Sequence, residues 1–101
     1  MSTFDVDFGD TLFSDGTQGE LTVGTTAVEI TVSASSKEGR QVVLLQPRDK
    51  GIYIGFDSSV TTSTGVEIFK KQIIPIPVGE SATLYAIATG AGKRLRVLEG
   101  G

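Results

Sequence analysis

The stretch Thr89-Gly90-Ala91-Gly92-Lys93-Arg94 comes nearest to a nucleotide-binding signature in the chain. A phosphate-binding loop needs a Gly five residues before its Gly-Lys pair and a Ser or Thr after the Lys, so that backbone donors cradle phosphates and a hydroxyl reaches magnesium. Those positions hold Ile87 and Arg94, and the stretch reads instead as a hairpin turn. Asp5, Asp7 and Asp10 could gather around calcium, but the closing Glu of a calcium loop is missing. Glu29, Glu67, Glu80 and Glu99 supply carboxylates. A glycosidase would have to hold two of them roughly 5 to 9.5 Å apart across a cleft, and their spacing pairs none. Ser and Lys are present without a local nucleophile signature. The 101 residues include no His, Cys, Asn or Trp. That removes Ser-His-Asp and Cys-His catalysis, thiolate and imidazole zinc sites, disulfides and N-glycosylation. The expectation is a protein that is not an enzyme and takes no cofactor and no metal.

Charge placement says more than charge total. The formal net charge is -3, yet residues 1–20 carry Asp5, Asp7, Asp10, Asp15 and Glu20 with no base. The remainder has seven acids against nine bases, or +2. An acidic tail on a mildly basic body points to a tail that meets something basic. Lys93, Arg94 and Arg96 form the only tight basic group in the sequence, so nucleic acid is not the expected partner. No stretch approaches the roughly 18 apolar residues of a membrane span. The first ten residues alternate Phe, Val and Asp rather than opening as a signal peptide does, so synthesis in a host cytoplasm without membrane anchoring is expected.

The elements that must position these groups are strands. Thr3 to Phe8 places Phe4, Val6 and Phe8 on one side and Asp5 and Asp7 on the other, the pattern of a half-buried strand. Gly9 to Gly19 reads as loop or linker, so residues 1–19 form an N-terminal arm and residues 20–101 the domain. Thr26 to Ser33 alternates with Val28, Ile30 and Val32 on one face. Gln41 to Gln46 is a continuous apolar run suited to a central strand, and Pro47-Arg48-Asp49-Lys50-Gly51 turns it toward Ile52 to Asp57 in an expected hairpin. Ser58 to Gly65 is a Ser/Thr-rich loop followed by a strand over Val66 to Phe69. Pro75 and Pro77 lack the N–H of a central strand, which puts Lys71 to Val78 at an edge. Ser81 to Thr89 is read as a strand over its helical alternative, and Leu95 to Leu98 closes the series. Tyr53, Phe56, Phe69 and Tyr85 could stack sugar rings, although core packing is the expected fate of aromatics on strands. Seven or eight short strands with Gly-containing turns predict one all-β antiparallel sandwich or jelly roll.

The wording and order of Gly51-Ile52-Tyr53-Ile54-Gly55, Val60 to Gly65, Val78-Gly79-Glu80-Ser81, Leu84 to Ala88 and Arg96-Val97-Leu98-Glu99 resemble small β-rich accessory virion proteins of tailed bacteriophages. The resemblance spans roughly residues 24–99. It implies a capsid decoration or cement protein, or a head-fibre relative, located on the capsid surface of the virion. The implied partner is the major capsid protein. The implied assembly is a homo-oligomer, a trimer ahead of a dimer because trimers match three-fold capsid sites. An arm that adds a strand to the shell suits Phe4, Val6, Phe8 and Phe13 as apolar anchors and Asp5, Asp7 and Asp10 as the charged face. A glycan- or receptor-binding module, and a tail or neck protein, are the alternatives.

Overall fold

A period-two pattern gives each segment one face to bury, and in this chain short strands bury those faces against one another. The computed structural model describes residues 16–32 and 37–100. Within them lie β1 (Gly16–Val23), β2 (Val28–Glu29), β3 (Val42–Pro47), β4 (Ile52–Gly55), β5 (Val66–Ile68), β6 (Ile74–Pro77), β7 (Tyr85–Ala88) and β8 (Lys93–Gly100). There is no α-helix among the described residues. The strands form two antiparallel sheets of order β1-β8-β3-β6 and β2-β7-β4-β5. Successive strands switch sheets at every connection except β4 to β5, which pair with each other, and this is the connectivity of an eight-stranded jelly roll.

The two inner faces meet in one core. Val43 and Leu45 of β3 and Leu95 and Val97 of β8 oppose Ile52 of β4, Ile68 of β5 and Ala86 and Ala88 of β7, all buried. Ile30, Val78 and Leu84 close it from the connections. Val28, Ile30 and Val32 do share the inward face, although only Val28–Glu29 has strand pairing.

β3 is central as expected, lying between β8 and β6. The expected hairpin between β3 and β4 does not form, because both long sides of β3 are already paired and β4 joins the other sheet between β7 and β5. Pro47 to Gly51 is therefore a corner between layers. Gly51 takes φ +79° there, a left-handed conformation that suits Gly. Gly90 to Gly92 is likewise a corner from β7 to β8 and not a hairpin turn. Residues 16–19, read as linker, are the first half of β1, paired with β8 from Gly16↔Gly100 to Gly19↔Val97.

The proline argument for β6 holds in detail. Val78 N–H donates to Gln41 C=O at 3.0 Å, and donors alternate along a strand, so Ile74 and Ile76 direct their N–H groups at β3. Pro75 and Pro77 occupy the positions whose nitrogens face outward.

Candidate interaction surfaces

The residues singled out for partner binding, Phe4, Asp5, Val6, Asp7, Phe8, Asp10 and Phe13, lie outside the described residues. Their point of attachment is described. Gly16 opens β1 at the end of the sandwich where β8 finishes, opposite Gly100.

The carboxylates weighed for acid-base chemistry are dispersed, and Glu29, Glu80 and Glu99 are engaged. Glu99 holds an inward position on β8 in line with Leu95 and Val97, and it is 1% exposed. Arg40, 2% exposed, meets it at 2.6 Å through Nη1. The five N–H groups of Arg40 make five bonds. They reach Glu99, Ile30 C=O at 3.3 Å, Gly79 C=O twice at 3.3 and 3.2 Å, and Ala82 C=O at 2.9 Å. Glu99 Oε1 accepts from Thr31 Oγ1 at 3.0 Å and from Val32 N–H at 2.6 Å. This cluster ties the end of β8 to the segments around residues 30 and 80. Glu29 pairs with Lys37 at 2.5 Å, and Glu80 accepts from Gly39 N–H. Among the described residues no three acids gather as metal ligands.

The fold assembles a basic end that the sequence spreads over three separate places. Arg48 N–H donates to Arg94 C=O at 2.9 Å, Lys71 N–H to Pro47 C=O at 2.8 Å, and Thr89 N–H to Gly51 C=O at 3.0 Å. These bonds gather the corners after β3, β5 and β7 at the end of the sandwich where β1 finishes. Arg48, Lys50, Lys70, Lys71, Lys93 and Arg94 collect there, with Asp49 as the only acid of those corners. Asp49 is clamped by Arg94, which donates from Nε at 3.0 Å, Nη2 at 3.2 Å and its backbone N–H at 2.8 Å. That side-chain bond, helped by the backbone one, lowers the Asp49 pKa from its usual 3.8 to about 2 and raises that of Arg94. Loop spacing hid this cluster; the sequence shows its members only as separate short groups at 48–50, 70–71 and 93–94. The opposite end carries Glu38, Asp57 and Glu80 and is where β1, and so the acidic arm, begins. There the Ser59 side chain holds the Asp57 carboxyl below its usual range.

Both outer sheet faces are partly apolar. On the first sheet Leu44, Leu98 and the exposed Ile73 line a shallow groove bordered by Gln18, Glu20 and Arg96. Glu20 and Arg96 pair across it at 2.7 Å. On the second sheet, Tyr53, Tyr85 and Ile87 alternate with the inward Ile52, Ile54, Ala86 and Ala88. Register sets Tyr53 opposite Ile87, with Tyr85 opposite Gly55, so the two tyrosines are diagonal neighbours on the outer face. Phe56 and Phe69 are 68% and 61% exposed. The expectation that these four aromatics fill the core is therefore corrected. β-Branched and aliphatic side chains supply the core, and alternation turns the tyrosines outward.

No family model and no curated protein matches the chain. Among solved structures it is similar to a chain from work described as "Bacillus endospore appendages form a novel family of disulfide-linked pili". The identity is 18% over 89% of this chain and 88% of that chain, with a TM-score of 0.45.

Proposed function

We propose that the chain is a non-enzymatic structural protein of a phage particle, a homo-oligomer that decorates and stabilises the capsid by binding the major capsid protein, partly through residues 4–13. The observation that carries this reading is the spatial separation of charge. The acidic N-terminal stretch joins the sandwich at Gly16, at the end remote from the body's own basic corners, and this supports a reading in which its carboxylates meet another molecule. Apolar side chains on one face and carboxylates on the other suit strand addition, in which backbone pairing supplies affinity and alternate side chains supply register. Many copies on one lattice let each contact be weak.

Because β1 begins at Gly16, a deletion that tests this reading must stop at residue 15. The shortened chain is expected to keep its β-sheet circular dichroism and to lose capsid binding. A full-length chain with Phe4, Val6 and Phe8 all replaced by Ser is expected to lose it as well. Wild-type association should weaken as ionic strength rises, since exposed charges are screened. Saturation of capsids by the shortened chain at wild-type affinity would refute the role given to the arm.

The outward aromatics favour one further reading, a glycan- or receptor-binding module, with Tyr53 and Tyr85 as a stacking platform. Binding on a glycan array that disappears on Tyr53→Ala would support it. Normal cell adsorption by particles lacking the protein would count against it.

A further inference from the structure

Among the described residues the sandwich has four sheet edges, and three of them are blunted. β6 presents Pro75 and Pro77 outward, and β2 and β5 are two and three residues long. The fourth, β1, runs for eight residues with no Pro and no Lys. Arg48 N–H donates to Arg94 C=O, so the even-numbered residues of β8 bond β3 and the odd-numbered ones bond β1. Thr17, Gly19, Leu21 and Val23 consequently turn their backbone groups toward β8. Gln18, Glu20 and Thr22 turn theirs outward, and among the described residues no strand pairs with them. The single charge on this edge, Glu20, is balanced by Arg96 within its own sheet at 2.7 Å.

We propose that β1 pairs antiparallel with β1 of a second copy about a two-fold axis through Gly19, joining the two β1-β8-β3-β6 sheets into one. Gln18 then stands opposite the partner's Glu20, and Glu20 opposite the partner's Gln18, so each carboxylate faces a carboxamide donor. Outward backbone groups meet only in registers that pair even residues with even ones. Of the two neighbouring registers of that kind, one would set Glu20 against the partner's Glu20, a like-charge pair that sheets disfavour, and the other, centred on Gln18, shortens the overlap to residues 16–20. Gly19 on the axis brings no side chain into the seam.

Charge selects the same orientation. Antiparallel pairing sets Gly16, the residue to which the acidic stretch is joined, opposite the partner's Thr22 and next to the partner's Val23. In the fold Val23 lies beside Lys93 at the basic end. A parallel arrangement would put both acidic arms at one end, beside the loops bearing Glu38, Asp57 and Glu80. The two-fold pairing closes the assembly as a dimer. It leaves residues 4–8 beyond the seam, so it goes further than the capsid reading and does not depend on it.

Gln18→Pro tests the pairing, because it removes an outward N–H while the bonds to β8 come from residues 17 and 19. By light scattering and sedimentation, the full chain and Gln18→Ala are expected to be dimers at micromolar concentration. Gln18→Pro is expected to be a monomer with an unchanged far-ultraviolet spectrum. Hydrogen exchange provides a readout that needs no variant. The amides of Gln18 and Glu20 should be protected in the concentrated protein and lose protection on dilution. A monomeric or trimeric wild-type chain, a folded Gln18→Pro dimer, or rapid exchange at those amides in concentrated protein would overturn the proposal. Capsid binding, measured separately, leaves this result untouched.

Discussion

Arg40 answers Glu99, a carboxylate set at a position on β8 where Leu95 and Val97 lead one to expect another apolar side chain. Burying either charge alone is costly, and the pair persists because all five guanidinium N–H groups and both carboxylate oxygens are bonded. Arg40→Ala is expected to destabilise the fold by about 3–5 kcal/mol in urea unfolding, since Glu99 would remain as an uncompensated buried charge. Replacing both partners, Arg40→Met with Glu99→Leu, should not restore wild-type stability. The carbonyls of Ile30, Gly79 and Ala82 and the Val32 N–H would stay buried without these partners. Asp49 lies at the other electrostatic extreme, on the surface. Its pKa is lowered in the folded chain, so its pairing with Arg94 is fully present above the ordinary value of 3.8 and is lost as pH falls toward about 2. Carboxyl NMR should show Asp49 titrating near pH 2 in the wild type, and Arg94→Gln should move that midpoint back toward the ordinary value. Neither pairing was visible in the sequence. Partners separated by 59 and 45 residues leave no periodic or motif signal.

Between residue and molecule, the corners decide the topology. Gly51 has a left-handed φ, and a methyl group added there would meet the Thr89 hydroxyl. Gly51→Ala should therefore cost roughly 1–3 kcal/mol, read as a lowered melting temperature. Strand positions were legible from local pattern, because each needs only its own alternation. The edge placement of β6 followed from proline chemistry alone. Strand partnership was not legible. The Pro47–Gly51 segment has the composition of a hairpin turn, and only the occupation of both sides of β3 by β6 and β8 forces the chain into the other layer. The start of β1 was missed for a similar reason. Gly16 and Gly19 read as linker residues, whereas pairing with β8 and packing of Val32 against Gly19 make them strand.

For the whole molecule, folding gathers basic residues from three corners at one end, and Gly16, the residue to which the acidic stretch is joined, lies at the other. The amphipathic strand expected over residues 3–8 lies outside the described residues, and the basic end was not legible, since no linear stretch contains it. A three-fold oligomer was expected from the resemblance to capsid proteins, whereas the outward backbone groups of Gln18, Glu20 and Thr22, paired with no strand among the described residues, argue for two-fold pairing. Surface aromatics, partly apolar outer faces and a basic end are the features on which the proposed contacts with other macromolecules rest. The central claim is that this meeting takes place all over a capsid lattice. Quantitative mass spectrometry of purified particles, referenced to the major capsid protein, tests it most directly. The account predicts a fixed stoichiometry with hundreds of copies per particle. A handful of copies, as in a neck or tail ring, would contradict it.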